Sequence, residues 1–439
     1  MIAGWFRVVP EDREIFRLAV PALAALAAEP LYVLVDTAIV GHLGTEPLAG
    51  LALATTVILT GFSLSIFLAY GTTSSVARLL GAGRDREAAE HAVQGLWMAA
   101  AISVVLSGLV LLNADWLIRM LGGEGAVAEQ ALIYLRISMA GVPALLLTLA
   151  GTGYLRGLQD TRTPMLIAIG TALGNLVLEL TLINGLGFGI GASALSTVIA
   201  QWVGALIYLA RIARSAGKLG VGFRPVPSAI RAQLVVAGSL FLRTVSMRGA
   251  LIVAVAVATR IGTEELAAFQ VGFEMWSLLA LALDAVAIAG QALIGRYLGA
   301  EDPEAARRAG DRMNRWAIGC GVVFAIIVLA LRDVLPGVFT DDPAVARLIT
   351  ISLIWVAVLQ PVGGLAFSLD GILIGAGDLR WLARAMGVAG LLFATASIVV
   401  HQQELGLTWL WAALGLWMVA RTAFTWQRYR SDTWLVTGH

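Results

Sequence analysis

One segment of this chain is present twice. VGHLGTEPLAGLAL, residues 40–53, returns as TRIGTEELAAFQV, residues 259–271, and the register of 218 residues then holds without a gap for well over a hundred residues. Gly44, Thr45, Glu46, Leu48 and Ala49 recur as Gly262, Thr263, Glu264, Leu266 and Ala267. Pro143, Gly153, Leu155, Gly157, Asp160 and Arg162 recur as Pro361, Gly371, Leu373, Gly375, Asp378 and Arg380. Past residue 387 the register slips by one, so that Leu186 and Gly187 answer to Leu405 and Gly406. A unit this long exceeds any solenoid repeat and is large enough for a whole helical bundle.

Composition decides what kind of bundle. The chain is 59% hydrophobic and 13% charged, with mean hydropathy +0.85, whereas a soluble domain carries roughly a quarter charged residues. Runs of about 20 apolar residues, enough to cross a bilayer as helix, lie near 15–39, 50–77, 92–113, 128–150, 164–184, 190–210, 232–258, 266–294, 316–331, 346–372, 383–400 and 408–425. The expected fold is an all-α polytopic membrane protein with twelve transmembrane helices in two six-helix lobes. Six is even, so both lobes enter the membrane the same way and are expected to be related by a pseudo-two-fold axis along the membrane normal, an arrangement common in transporters. The expected division is a lobe over 1–210, a basic linker over 211–231 containing Pro225 and Pro227, and a lobe over 232–439.

Net charge is +1, so no nucleic-acid partner is implied, but the 30 basic residues are unevenly spread. Counted by alternate loops, one side collects 23, from Arg7, Arg13 and Arg17 through Arg312 and Arg421 to Arg430. The other holds Arg119, Arg260, Arg332 and Arg347. The positive-inside rule then places both termini in the cytoplasm, in a multi-pass protein of the inner (plasma) membrane. Residues 1–14 are polar and the first apolar run is long, so that run is expected to stay as an anchor. Cys320 is the sole cysteine and is expected to act as a packing residue. Trp409, Trp411, Trp417, Trp426 and Trp434 crowd the last span and are expected mostly at the membrane interface.

Ionisable side chains inside apolar spans are costly and mark functional candidates. In the first repeat they are Glu29 and Asp36 in the first span, Arg136 in the fourth and Glu179 in the fifth. Glu29 and Asp36, seven apart, share a helical face with Tyr32 between them. Pro21 and Pro30 each remove a backbone donor from the same span. Asn175 and Glu179 share a face of the fifth span, and Thr197 adds a hydroxyl from the sixth. Asp36, Asn175, Glu179 and Thr197 offer oxygen ligands only, which suits a hard monovalent cation. A proton is equally suited, because two carboxylates in low dielectric cannot both ionise freely. A structural hydrogen-bond network is the third possibility. The second repeat carries Arg243, Arg248, Glu274, Asp284 and Asp370 instead; Asp36 answers there to Ala254. An ion pair of Arg243 or Arg248 with Glu274 or Asp284 is expected.

The duplication, PLYVLVDTAIVGHLG (30–44), GYLRGLQDTRTP (153–164) and DAVAIAGQALIG (284–295) together resemble the MATE family of multidrug and toxic-compound extruders, in particular its DinF branch. The resemblance covers nearly the whole chain. It implies a twelve-helix antiporter whose cavity opens alternately to each side, exporting organic, cationic or amphiphilic small molecules against inward protons, with sodium the alternative coupling ion and no other cofactor. It implies a family aspartate at Asp36 with partners at Asn175, Glu179 and Thr197, a bend at Pro21, and hydrogen-bonding tyrosines at Tyr32 and Tyr134. Glu179 stands where relatives often have Asp, and Glu29 where an amide is familiar. A glutamate in the seventh span, used in another branch, has no match here.

Three rivals compete. A lipid-linked precursor flippase of a related two-lobed fold calls for an arginine-rich cavity, and only Arg136, Arg243 and Arg248 lie within spans. A membrane enzyme calls for a catalytic constellation, but no HExxH, CxxC or GxSxG occurs, and His42, His91, His401 and His439 are isolated. A major-facilitator transporter lacks support in the loop 78–89. The chain is expected to act as a monomer in the bilayer, not as an enzyme.

Overall fold

The computed structural model describes residues 9–438, so Arg7 and His439 lie outside the described residues. Among these, every regular element is helical: α1 (Pro10–Gly41), α2 (Thr45–Ser65), α3 (Phe67–Gly81), α4 (Asp85–Leu112), α5 (Ala114–Met120), α6 (Gly125–Ser138), α7 (Val142–Gly157) and α8 (Arg162–Glu179). A π-helical turn (Leu180–Gly185) extends α8, and α9 (Ile190–Lys218) closes the first repeat. The second comprises α10 (Pro227–Ile261), α11 (Thr263–Gly299), α12 (Pro303–Leu331), α13 (Pro336–Phe339), α14 (Pro343–Gly375), α15 (Leu379–Gln402) and α16 (Leu407–Arg430). Eleven described helices are long and apolar enough to cross a membrane, and the pair α6 and α7, bent by 51°, makes a twelfth. Helix is the form that satisfies backbone donors and acceptors within the segment where lipid offers none. Hydroxyls on exposed faces follow the same rule: Thr56 Oγ1 donates to the Ala52 carbonyl and Thr60 Oγ1 to that of Thr56.

The chain forms two compact units. One is Ala24–Gly238; the other joins the described residues up to Leu23 to those from Ser239 onward. The first helix of each repeat is therefore divided, α1 after Leu23 and α10 after Gly238. The linker is also shorter than the expected 211–231, because α9 runs on to Lys218 and α10 begins at Pro227.

The preserved repeat positions have a packing cause. A Cβ on Gly153 would stand 2.6 Å from the Ala69 carbonyl oxygen, and one on Gly371 would meet the oxygen of Ala287, the repeat counterpart of Ala69, closer still. Gly157 faces the Thr73 oxygen and Gly375 that of its counterpart, Gln291. Each unit thus has one helix crossing, α7 on α3 or α14 on α11, so tight that only hydrogen fits at the contact. The left-handed residues closing helices recur too, at Gln159 and Gly377 (φ 65° and 72°) and at Gly83 and Glu301 (φ 69° and 58°).

The second unit's core corrects the tryptophan expectation. Trp411, Trp417 and Trp434 are fully buried, while Trp409 and Trp426 are exposed. Trp411 Nε1 donates to Ser352 Oγ at 3.0 Å and Trp434 Nε1 to the Tyr429 carbonyl at 2.9 Å. These two indole nitrogens have partners inside the fold and need no interface, while Trp417 Nε1 is buried without a hydrogen-bond partner among the described residues.

Candidate functional site

In the unit Ala24–Gly238, α1, α6, α8 and α9 bring together the expected polar set. Asp36 and Glu179 are buried, Glu179 completely, with Asn175, Thr197 and Tyr134 buried beside them. Ser193 Oγ donates to Asp36 Oδ1 at 2.5 Å. One turn along each helix, the hydroxyls of Tyr32 and Thr197 meet at 2.5 Å. Asn175 Nδ2 approaches Glu179 Oε2 at 3.4 Å. The Glu179 carboxyl also neighbours Asp36 and Ser193, and the Tyr134 hydroxyl lies beside Thr197 and Ser193. Glu179 Oε1 and Asn175 Oδ1 are buried acceptors with no hydrogen-bond partner among the described residues. Two carboxyls and spare acceptor oxygens in one enclosed place are a receptor for a proton or a small hard cation, since an unpaired buried charge is strongly disfavoured.

The local sequence explains this convergence. Asp36 and Tyr32 lie four apart on α1, Asn175 and Glu179 four apart on α8, and Ser193 and Thr197 four apart on α9, so each helix offers one polar stripe two residues long. Pro21 is buried in the same helix. Glu29, by contrast, is exposed and joins no hydrogen bond of the Asp36 group. Ser193 was missed: a serine in a helix of small residues carries no signal until α1 is placed against it. Arg136 is exposed and pairs with Asp115 at 3.0 Å, where solvent-facing side chains meet.

The other unit has a different cluster, with a partner that the expected pairing did not name. Arg243 binds Asp370: its Nη2 donates to Asp370 Oδ2 at 2.6 Å. Arg421 Nη2 donates to the same oxygen at 2.5 Å. Arg421 was counted with the surface basic residues, yet it is 1% exposed, and its guanidinium faces the Trp417 ring at 5.4 Å and the Phe367 ring at 5.8 Å. It lies nine residues before the end of α16, close to the expected end of the last span, where sequence alone cannot separate a buried arginine from a flanking one. Asp284 is half-buried, while Glu274 and Arg248 are exposed. Two guanidiniums on one carboxylate already supply the positive charge that Asp370 needs.

Comparison with known proteins bears on the family and the fold. The MatE family model matches residues 21–181 and again 240–398, one match per repeat. The chain is 30% identical to Protein DETOXIFICATION 44, chloroplastic, of Arabidopsis thaliana, over 93% of this chain and 80% of that protein. It is 29% identical to DNA damage-inducible protein F of Escherichia coli, over 96% of this chain and 94% of that one. The fold matches the solved structure of a MOP-superfamily transporter from Pyrococcus furiosus with TM-score 0.87 and 23% identity, covering 98% of both chains. It matches a MATE in the bent conformation with TM-score 0.86 and 24% identity, covering 97% of this chain and 96% of that one. By two family matches spanning most of its length, this chain belongs to the MatE family of multidrug efflux transporters.

Proposed function

We propose that this MatE transporter is a secondary antiporter that exports organic, cationic or amphiphilic compounds by alternating access, driven by protons, with sodium as the alternative ion. The observation that carries this reading is the enclosed meeting of Asp36 with Ser193 and Glu179. When ions are absent, two neighbouring carboxyls repel and α1 is pushed to reseat; a proton or cation between them removes that repulsion. Tyr32, Tyr134, Asn175 and Thr197 hold the carboxyls in place, and Pro21 is where α1 gives. Arg243 and Arg421 share the single carboxylate of Asp370, which leaves that cluster positive, so it takes no coupling cation. Arg248, Glu274 and Asp284 have no part in coupling, and Glu29 faces the transported compound. The transporter works as a monomer in the plasma membrane, with both termini cytoplasmic.

Proteoliposomes holding a fluorescent organic cation, with proton and sodium gradients imposed separately, test this. Wild type should transport under the proton gradient, and Asp36→Asn should not. Gradient-driven transport that survives Asp36→Asn would falsify the mechanism. A response to neither gradient would favour a lipid-linked flippase. Against that rival, Arg136 is already committed to Asp115, and Arg243 and Arg421 to Asp370.

A further inference from the structure

The division of the two first helices is reciprocal. The start of α1, up to Leu23, belongs with the second repeat, and the start of α10, up to Gly238, belongs with the first. Under the 218-residue offset Leu23 answers to Phe241, so the two breaks fall within a turn of each other.

The residues that hold these exchanged starts are also repeat counterparts. In the second unit, Arg312 of α12 grips Asp12: Nη2 donates to Oδ2 at 2.7 Å and Nε to Oδ1, and both side chains are almost fully buried. Trp316 Nε1 donates to Asp12 Oδ1 at 2.6 Å, its ring standing edge-on to Phe16 with centroids 4.7 Å apart. In the first unit the position answering to Arg312 is Gln94 of α4. Its amide closes on the backbone that leads into α10, donating to the Arg224 carbonyl at 3.1 Å and accepting from Val226 N at 2.8 Å. Gln233 of α10 adds a bond to the His91 carbonyl at 3.0 Å. The same place in each repeat therefore fastens the first helix of the other, once through a buried ion pair and once through neutral amides.

The fastenings are unequal in kind. Charge-assisted bidentate bonds are stronger and more directional than amide bonds, so the start of α1 is fixed to the second unit more firmly than the start of α10 is to the first. Asp12 and Asp36 are on one helix, with Pro21 and Pro30 between them in the chain. A displacement of Asp36 is then absorbed at the prolines or delivered to Arg312.

We propose that Asp12 and Arg312 are a positioning pair that passes the occupancy of the Asp36 site along α1 into the second unit, and that Gln94 is its uncharged counterpart with no share in that transmission. This rests on the assignment of Asp36 as the ion site. The groups facing Asp36 are Glu179, Tyr134 and Tyr32. Those facing the start of α1 are Arg312, Arg308 against Glu11 and Tyr297 against Glu14.

Hydrogen exchange by mass spectrometry on the full chain in lipid nanodiscs tests it, comparing about pH 8 with about pH 6 after correction for intrinsic rates, and repeating the comparison with added sodium. In wild type, segments 24–41 and 303–318 should both change protection, by about fivefold or more, the low end of a typical coupling. In Arg312→Met and in the milder Asp12→Asn the change should persist in 24–41 and vanish in 303–318, while Arg312→Lys should restore it and Gln94→Leu should leave it as in wild type. A response of 303–318 that survives in Arg312→Met, or that Gln94→Leu abolishes as well, overturns the proposal. So does a wild-type response confined to 24–41. Asp36→Asn separates the two claims: if 24–41 still responds in that variant, the assignment of the ion site fails, whatever 303–318 does.

Discussion

Ser193 holds Asp36 from the side, and its loss should be felt in coupling before folding. A hydrogen bond to a charged group contributes about 1.5–3 kcal/mol, so Ser193→Ala should lower efflux at a given gradient while Thr197→Ser, which keeps its hydroxyl, stays close to wild type; initial rates in proteoliposomes read both. The second cluster gives the opposite pattern. Asp370→Asn removes the carboxylate that two buried guanidiniums share and should cost about 3–5 kcal/mol of stability, whereas Arg248→Met at an exposed position should shift it by no more than about 0.5 kcal/mol. Thermal unfolding in detergent would separate them, and equal effects would mean that the charge of Asp370 is not what holds the two arginines in place. Asp36 and Glu179 were legible because a carboxylate stands out in an apolar span. Ser193, Arg421 and the Asp12–Arg312 pair were not: a serine is ordinary in a helix, and charges near a span's end look alike whether they face water or turn inward.

At the scale of elements, one proline has two outcomes. Pro143 begins α7 just beyond the break at residues 139–141, while its counterpart Pro361 lies inside the continuous α14. Proline alone therefore does not break the helix; the difference accompanies Gly141, which answers to Leu359. The break exposes the Ala140 carbonyl, and Trp202 Nε1 of α9 donates to it at 3.0 Å. Trp202→Phe keeps the ring and removes that donor, so an unsatisfied carbonyl costing about 1–3 kcal/mol locally should speed exchange over 139–145 and leave the equivalent stretch of α14 unchanged. The spans themselves were legible, since apolar length announces a transmembrane helix, but their polar ends were not: α12 begins at Pro303, well before the expected 316, and α9 runs past 210 to Lys218. The bend between α6 and α7, and the division of α1 and α10 between units, depend on contacts with distant helices that no local pattern records.

For the molecule as a whole, the arginine asymmetry makes a claim about sidedness. With Cys320 replaced by alanine, an impermeant maleimide should label Gly222→Cys only from the cytoplasmic face and Glu124→Cys and Asp341→Cys only from the opposite face; label on one side for all three would remove a span from the count. The two-lobed helical plan was legible in the duplication, whereas the exchange of first-helix starts was not, because Gln94 and Arg312 share neither charge nor partner type. The glycine crossings described above also bear on how such a chain could have diverged after its duplication. Where backbone touches backbone, any side chain beyond hydrogen collides, so drift there is halted in both copies. A carboxylate lining an interior site meets no such veto, so the two copies are free to differ there, as Asp36 and Ala254 do. Internal likeness in this transporter is thus a fossil of construction, and internal difference is where one ancestral half acquired a trade of its own.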